Sequence, residues 1–200
     1  MRGLPLVLTV LLACCGGPPQ AAQQIDFEVS EGTNLAFDVS PDGRTIVFDM
    51  LGQLWLLPIE GGVAEPITDA VRDTADDAGP TFSPDGRWIV FQSDRPGGHG
   101  LYRIPVTGGD PELLTSYPDL IGASSPAWSP GGRSVAFLRR DSLQVLDFDT
   151  DGLAVAVRTV PVDLPDIARP RLATVTWSPD GERLAVGTGW GGLFLPYPHF

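Results

Sequence analysis

Short apolar runs alternate with turns rich in glycine and proline from about residue 25 onward. One turn occurs four times, as Ser-Pro-Asp-Gly at residues 40–43, 83–86 and 178–181 and as Ser-Pro-Gly-Gly at 129–132. A bulky apolar residue precedes each copy, and an arginine and a β-rich apolar run follow it. Proline presets φ for the second position of a tight turn, and glycine accepts the positive φ that follows. Each copy therefore predicts the turn of a β-hairpin.

The intervals between these turns have room for several strands. The turns begin 43, 46 and 49 residues apart. The first interval predicts strands at residues 34–39, 45–50, 54–57 and 64–68. The second predicts strands at 80–82, 88–91, 101–104 and 111–115, the third at 127–128, 135–138, 143–148 and 154–160, and the fourth at 175–177, 184–187 and 193–195. Multistranded repeats of this length are typical of β-propeller blades, and no stretch has a useful helical period. The sequence predicts an all-β protein, a β-propeller of four-stranded antiparallel blades.

Two features favour a ring of more than four blades. The fourth repeat lacks its outer strand, and residues 25–29 alternate like a strand ahead of the first repeat. In closed propellers an N-terminal strand often completes the last blade, which removes an exposed sheet edge. We therefore expect residues 25–200 to be the propeller domain, as part of a six- or seven-bladed ring that continues beyond Phe200.

Residues 1–24 have the features of a targeting segment and tether. Arg2 precedes an apolar stretch at residues 4–13, which is shorter than the roughly 20 residues that span a bilayer. Leu-Leu-Ala-Cys at residues 11–14 resembles the bacterial lipobox, and that resemblance implies lipidation of Cys14; ordinary cleavage near residues 21–22 is the alternative. We expect an exported protein, periplasmic or in the cell envelope, that meets a membrane only through a lipid at Cys14.

The net charge limits which partners are expected, and the positions of the cysteines limit which cysteine chemistry the propeller can carry. The net charge is −12, and an acidic surface repels phosphate backbones, so nucleic acid is not an expected partner. Both cysteines, Cys14 and Cys15, lie in the targeting segment. The predicted propeller therefore contains no thiol for a disulfide or a thiolate site.

The repeat resembles a known family. The turn with its following strand, and the Gly-Gly turns before Pro- and Glu-rich outer strands, resemble the TolB-type, WD-like propeller repeat over about residues 25–195. The first blade is similar to the N-terminal propeller of large exported bacterial amidohydrolases, where a metal-dependent hydrolase barrel follows the propeller. That similarity rests on residues 27–34, 39–43, 46–49, 51–55 and 57–62. The third copy departs from the pattern at Gly131, and we expect a looser turn there.

No catalytic constellation accompanies the repeats. An amidohydrolase barrel needs several metal-ligating histidines, whereas the chain has only His99, expected in an exposed loop, and His199. A serine peptidase of the prolyl oligopeptidase type needs a Gly-x-Ser-x-Gly elbow, and Gly-Ala-Ser-Ser-Pro at residues 122–126 fails at its fifth residue. We therefore assign no catalytic, cofactor-binding or metal-binding residue and expect no cofactor.

Two further motifs have structural interpretations. Residues 187–192 match Gly-x-Gly-x-x-Gly, but a strand and a proline follow where a dinucleotide site needs a helix, so a hairpin loop is favoured. Asp73, Asp76 and Asp77 could hold Ca²⁺, but they lack the spacing of a calcium loop, so a solvated acidic loop is favoured.

Other acidic and aromatic residues are assigned to turns and to packing. The acidic residues expected at strand ends and turns are Asp141, Asp147, Asp149 and Asp151. The tryptophans expected to pack between blades are Trp55, Trp88, Trp128 and Trp177, with Trp190 as the one expected at a surface.

Three functions remain open. The favoured hypothesis is a non-catalytic propeller module of an exported protein, which binds a partner protein or gates the substrate of a C-terminal hydrolase. The second is a free-standing TolB-like interaction protein of the cell envelope. The third, an enzyme within this chain, would have to depend on the acidic loops and the two isolated histidines.

Overall fold

The computed structural model describes residues 6–8, 25–27, 35–69, 74–95, 99–117, 124–140, 142–162, 171–190 and 193–195. The regular secondary structure within these ranges consists of β-strands. The described residues therefore include no helix that could cross a membrane. Near the N-terminus, β1 (Leu6–Leu8) and β2 (Ile25–Phe27) pair antiparallel in a two-stranded sheet. Residues 25–27 of the strand predicted at residues 25–29 therefore pair with β1 and not with a blade, and residues 28 and 29 lie outside the described residues.

Four sheets follow in chain order, and we call them blades I to IV. Blade I consists of β3 (Phe37–Val39), β4 (Thr45–Met50), β5 (Gln53–Pro58) and β6 (Glu65–Pro66). Blade II consists of β7 (Ala78–Phe82), β8 (Trp88–Ser93), β9 (His99–Pro105) and β10 (Glu112–Tyr117). Blade III consists of β11 (Ser124–Trp128), β12 (Ser134–Arg139), β13 (Ser142–Phe148) and β14 (Ala154–Val160). Blade IV consists of β15 (Arg171–Trp177), β16 (Leu184–Trp190) and β17 (Leu193–Leu195).

Within each blade, consecutive strands are antiparallel neighbours. This arrangement confirms the all-β propeller prediction, and each predicted blade strand corresponds to an observed one. The outer strand of blade I is shorter than predicted, with two residues in place of five. Blade IV has three strands among the described residues, as predicted.

The blades pack face to face through three apolar clusters, and each cluster joins two neighbouring blades. The middle strands are buried on both faces because successive side chains of a strand point to opposite sides. In β8, Ile89 and Phe91 join the cluster shared with blade I, whereas Val90 joins the cluster shared with blade III. All three side chains have no exposed surface. This double burial accounts for the continuous apolar runs in the sequence.

The Ser-Pro-Asp-Gly turns are closed by hydrogen bonds from within the motif. In blade II, Gly86 N donates to Ser83 O (2.8 Å) and Trp88 N donates to Ser83 Oγ (2.9 Å). The Ser83 hydroxyl donates to Asp85 Oδ1 at 2.6 Å. In blades I and IV the corresponding serine bonds lower the pKa of Asp42 and Asp180, so these carboxylates are ionised at neutral pH.

The third turn keeps its shape without this carboxylate. Gly132 N still donates to Ser129 O (2.9 Å), and Ser134 N still donates to Ser129 Oγ (3.0 Å). The bonds that an aspartate would accept are missing at Gly131. The backbone and serine bonds therefore suffice to form the turn.

Carboxylates of blade I also hold the backbone of blade II. Asp38 Oδ2 accepts hydrogen bonds from Phe82 N (2.8 Å) and from Thr81 Oγ1 (3.0 Å). Asp49 Oδ2 accepts one from Gly79 N at 2.8 Å. These bonds set the lateral position of one blade on the next, which apolar packing alone does not fix.

One close approach inside blade II gives a test of the register. Gly100 in β9 faces Ser116 of β10, and a Cβ atom at Gly100 would overlap the carbonyl oxygen of Thr115. The nearest atoms are backbone atoms of Thr115 and Ser116, which can move little within the paired strand, so Gly100→Ala should lower the free energy of unfolding by at least about 1–3 kcal/mol.

Gly131→Ala is the matched control. Gly131 has open space around its missing side chain, and its φ is not in the left-handed region. The free energy of unfolding of the Gly131→Ala protein, measured by urea denaturation, should therefore differ from that of the wild type by no more than about 1 kcal/mol. Equal stability of the two variants would contradict the register of β9 and β10.

Candidate functional site

A cleft with a volume of about 990 Å³ opens between blades II and III. It lies on the side of the molecule that carries the four repeated turns, and we call this side the turn face. The four turns are Ser-Pro-Asp-Gly at residues 40–43, 83–86 and 178–181 and Ser-Pro-Gly-Gly at residues 129–132. The turns at residues 83–86 and 129–132 form two of its walls, and the turn at residues 149–152 lines it as well. Its larger lining side chains are the aromatic residues Trp88, Trp128 and Phe148 and the arginines Arg87, Arg103 and Arg133.

Contacts between neighbouring turns shape the turn face. A Cβ atom placed on Gly132 would lie 3.8 Å from Cδ of Pro84, so the proline of one turn lies beside the glycine of the next. The same relation joins Pro41 to Gly86 and Pro130 to Gly181, at 3.7 and 3.6 Å. Because the repeat sets both the turn and the blade spacing, the turns line up in a row along the turn face.

Arg103 joins the two walls of the cleft. Its guanidinium carbon lies 4.3 Å from the centre of the Trp88 ring and 6.0 Å from that of Phe148. Nε and Nη2 each lie 2.7 Å from Glu112 Oε2, and Nη1 donates to Gly152 O at 2.6 Å. Only 11 % of the Arg103 side chain is exposed, whereas the side chain of Glu112 is 53 % exposed. The guanidinium is therefore held largely out of water by charge-assisted bonds, while the carboxylate of Glu112 stays at the surface. The bond to Gly152 ties blade II to a turn of blade III.

Aromatic rings and ion pairs complete the cleft. Trp128 and Phe148 stack with ring centres 5.2 Å apart, and both remain partly exposed. At the rim, Arg87 Nε donates to Asp85 Oδ2 at 2.6 Å. Burial raises the pKa of Asp85, but hydrogen bonds from Ser83 and from the backbone N–H of Arg87 outweigh it and leave the pKa lowered. The Asp85 carboxylate is therefore charged at neutral pH.

The arrangement suits binding through flat apolar and polar contacts. Partly exposed tryptophan beside arginine is the composition enriched at the energetic centres of protein interfaces. The turn at residues 149–152 adds the carboxylates of Asp149 and Asp151 to the cleft lining. Asp149 Oδ1 accepts hydrogen bonds from Asp151 N (2.9 Å) and Leu153 N (2.8 Å), and these bonds hold the turn in shape.

The four predicted core tryptophans have two different environments. Trp128 and Trp177 pack against inter-blade clusters as predicted, and Trp177 Nε1 also donates to Ala127 O at 3.0 Å. Trp55 is 5 % exposed within blade I. The prediction was wrong for Trp88, which lies beneath Arg103 in the cleft because the guanidinium covers its ring face. Only the backbone of Trp190 is described.

Sequence reasoning missed Arg103 as a site residue. Arg103 faces Val90 across the β8–β9 pair, as Leu56 faces Val47 in blade I, so the two residues occupy the same position of the repeat. The available signal was a charged residue inside the apolar run of β9.

A second polar cluster lies where blade I meets blade II. Arg95 Nη2 donates to both carboxylate oxygens of Asp77 at 2.6 and 2.7 Å, and its Nε donates to Ser93 Oγ at 3.0 Å. The guanidinium carbon lies 5.3 and 5.0 Å from the ring centres of Phe91 and Tyr102. The side chains of Arg95 and Asp77 are only 7 % and 3 % exposed.

This ion pair corrects the prediction of a solvated acidic loop. Asp76 is exposed, as predicted, but Asp77 is buried because Arg95 provides a partner for its charge. Burial nevertheless raises the pKa of Asp77, and the bonds from Ser93 and Arg95 offset it only in part. Asp73 lies outside the described residues.

The remaining candidates are placed as follows. His99 is not an exposed loop residue, because it begins β9 and is half-buried. Residues 187–190 of the Gly-x-Gly-x-x-Gly segment lie in β16, which pairs antiparallel with β17 through Trp190 and Leu193, whereas residues 191 and 192 lie outside the described residues. Asp147 bonds Ser134 Oγ and Arg158 Nε at 2.7 and 3.1 Å. Cys14, Cys15, Asp141 and His199 fall outside the described residues. In the described part of the chain, no group of three or more His, Cys, Asp or Glu could hold a metal ion.

Comparison with known proteins places these features in a family. Residues 20–168 match the model of the TolB beta propeller domain. The chain is 30 % identical over 158 residues to the uncharacterized protein Atu1656 of Agrobacterium fabrum, covering 73 % of this chain and 52 % of that protein. It is 37 % identical over 83 residues to the uncharacterized peptidase YuxL of Bacillus subtilis, covering 41 % of this chain and 12 % of the peptidase.

Solved structures show the same fold. TolB from Acinetobacter baumannii superposes with a TM-score of 0.57 at 22 % identity, covering 85 % of this chain and 40 % of that one. The chain thus spans about half of Atu1656 and a smaller part of the other two proteins.

The buried ion pair gives a prediction with a defined pH dependence. Arg95→Met keeps an apolar stem but leaves Asp77 buried without its counter-ion, so the free energy of unfolding at pH 7 should fall by about 3–5 kcal/mol. Asp77 has a raised pKa, which means that the folded state binds its proton more tightly than the unfolded chain. The deficit should therefore shrink as the pH falls and Asp77 takes up that proton.

The double variant Arg95→Met/Asp77→Asn is the control. It removes both charges, so it should lose less than the sum of the two single variants. Urea denaturation at several pH values measures all four proteins. A deficit for Arg95→Met that stays constant with pH would contradict the pairing.

Proposed function

We propose that this chain, which belongs to the TolB β-propeller domain family, is a non-catalytic binding module of an exported bacterial protein. The cleft on the turn face carries this proposal. It combines partly exposed aromatic rings with Arg103, which is already held by Glu112 and Gly152. A preorganised surface of this kind loses little conformational freedom on binding, which favours affinity.

We propose further that the module is the N-terminal part of a larger hydrolase of the amidohydrolase type. It would gate the hydrolase's substrate or hold a partner protein. The resemblance of the first blade to exported amidohydrolases supports the amidohydrolase type, and the similarity to part of a peptidase supports the coarser proposal that a hydrolase is attached. The catalytic residues would then belong to chain outside residues 1–200.

A free-standing interaction protein of the cell envelope is the second candidate. The match to the TolB beta propeller domain over residues 20–168 favours it, since this match concerns the propeller alone. Both candidates share the exported location, which the apolar segment at residues 4–13 supports. A lipid on Cys14 would anchor the protein to the membrane. Ordinary cleavage near residues 21–22 would instead leave it without this anchor.

Site-specific photo-crosslinking tests the binding role of the cleft. Thr150 is exposed at the cleft rim, whereas Thr74 is exposed in the segment that leads from β6 to β7, outside the cleft lining. A photoreactive residue at Thr150, in protein produced by its native host, should give a discrete protein adduct in the envelope fraction. The same residue at Thr74 should not. Equal adducts at both positions, or none at Thr150, would count against a protein-binding cleft.

The mass of the native protein separates the two candidates. An antibody raised against residues 35–195 should detect a polypeptide much larger than this chain if a hydrolase domain is attached, and hydrolase activity should co-purify with it. A native polypeptide of about the length of this chain, without hydrolase activity, would favour the free-standing protein.

A further inference from the structure

The chain contains four Asp-Gly pairs, at residues 42–43, 85–86, 151–152 and 180–181. At such a pair the amide nitrogen of the glycine can attack the carboxyl carbon of the aspartyl side chain, because glycine has no side chain to hinder the approach. The new N–C bond closes a five-membered succinimide ring, and one water leaves, made from the carboxyl hydroxyl and the amide proton. Water then opens the ring at either carbonyl, which restores aspartate or gives isoaspartate, in which the main chain runs through the side chain.

This reaction needs no enzyme and no redox partner, but it needs a carboxyl group that can be protonated and can turn toward the glycine nitrogen. A hydrogen bond to the carboxylate opposes the first step, because it favours the charged form. It also opposes the second step, because the bond must break before the side chain turns. The hydrogen bonds of the four pairs therefore determine which of them can react in the folded protein.

Three of the pairs lie in the Ser-Pro-Asp-Gly turns, where the aspartate is held. In blade I, Asp42 Oδ1 accepts hydrogen bonds from Ser40 Oγ (2.6 Å) and from Arg44 N (3.1 Å). The Gly43 N–H is also engaged, because it donates to Ser40 O at 2.8 Å. The same two kinds of bond hold the aspartates of the other two turns, Asp85 and Asp180.

The fourth pair, Asp151-Gly152, lies in the turn of blade III that lines the cleft. A different carboxylate organises this turn, because Asp149 Oδ1 accepts the bonds from Asp151 N and Leu153 N. The side chain of Asp151 is exposed, and within the residues that the structure describes its carboxylate accepts no hydrogen bond and forms no ion pair. The Gly152 N–H donates to Asp149 O at 3.1 Å, the longest of the four bonds of this kind.

We propose that Asp151 is a site of spontaneous covalent modification, at which the folded protein forms succinimide and then isoaspartate while the other three Asp-Gly pairs are protected. The proposal rests on the hydrogen bonds of the four turns and is independent of the binding role proposed for the cleft. The carboxyl group of Asp151 has no hydrogen bond to break before it turns toward the Gly152 nitrogen. One hydrogen bond to a charged group that must break first slows a reaction by about tenfold or more. Isoaspartate should therefore form at residue 151 at least about tenfold faster than at the held aspartates.

Modification at Asp151 would change a wall of the cleft. Isoaspartate adds one main-chain atom between Cα of Asp151 and the nitrogen of Gly152. Gly152 O accepts the 2.6 Å bond from Arg103 Nη1 that ties blade II to blade III. A longer main chain displaces this carbonyl, so the modification acts on a contact that fixes Arg103 in the cleft.

Peptide mass spectrometry of the purified full chain, incubated in its folded state, tests the proposal. Cleavage after arginine gives a peptide of residues 141–158, which contains Asp151. Its succinimide form is one water lighter, and its isoaspartate form has unchanged mass but a different retention time. Electron-transfer fragmentation assigns the isoaspartate to a residue within the peptide. The rate at residue 151 should exceed the rates at residues 42, 85 and 180 by at least about tenfold.

The same chain unfolded in urea is the matched control. All four pairs have the Asp-Gly sequence, so without their turns they should isomerise at similar rates. Two results would overturn the proposal. One is a folded chain in which residue 151 isomerises no faster than the other three, and the other is an equal preference for residue 151 in urea.

Ser40→Ala tests the protecting bond itself. The substitution removes the hydroxyl that donates to Asp42 Oδ1, but it leaves the backbone bond between Gly43 N and the carbonyl oxygen of residue 40. Isomerisation at Asp42 should rise about tenfold, while the rate at Asp151 stays unchanged. An unchanged rate at Asp42 in the folded variant would contradict the protection by hydrogen bonds. The measurements on the wild-type chain do not depend on the folding of this variant.

Discussion

The structure depends on the burial of both faces of each blade's middle strands. Blade II shows the full arrangement, with Ile89 and Phe91 against blade I and Val90 against blade III. A blade with one neighbour would leave half of these side chains in water, at a cost of about 25 cal/mol per Å² of apolar surface. A blade therefore buries both faces only with a neighbour on each side. Phe37 and Val39 lie on a face of blade I against which no described blade packs, and they are 67 % and 39 % exposed. They share a sheet face with Phe48, whose equivalent in blade II, Phe91, is buried against blade I.

This constraint explains why the sequence was informative about the fold. Double burial requires continuous apolar runs, and the turns between them require glycine and proline, so both leave a periodic trace. The outer strand Ala154–Val160 was predicted to the residue because Gly152 before it and Pro161 after it mark its ends. The outer strand of blade I was predicted too long, because residues 64–68 have the composition of a strand while pairing extends only over Glu65–Pro66. The total number of blades stays a prediction.

The polar contacts between blades were much harder to predict. Arg95 and Asp77 are 18 residues apart in the chain, and nothing in either local pattern shows that they meet. Arg103 and Gly152 are 49 residues apart, about one repeat, which is the distance between equivalent points of neighbouring blades. A charged residue inside a doubly buried strand must find a partner, because an isolated buried charge is costly. Such a residue predicts that a partner exists in the next blade, but it does not identify which residue provides it.

The same constraint limits where recognition can take place. Where the faces of two blades pack on one another, a partner can reach only the turns, the loops and the outer strands. On the turn face, each Ser-Pro-Asp-Gly or Ser-Pro-Gly-Gly turn is fixed by its own hydrogen bonds, and Gly86, Gly132 and Gly181 each lie beside the proline of the preceding turn. The chemistry of the turn face can then vary only through the side chains that line the clefts between neighbouring turns. Arg103 and Trp88 give the cleft between blades II and III its polar and aromatic lining, whereas Leu56 stands at the Arg103 position in blade I. The smaller cleft between blades I and II, with a volume of about 250 Å³, is lined mainly by turn residues. Two adjacent inter-blade clefts built from one repeat thus differ in chemistry because of substitutions on the two middle strands of the blade: Trp88 stands where blade I has Thr45, and Arg103 where it has Leu56. The middle strands are therefore the positions from which a repeat of this kind acquires a binding specificity without loss of its fold.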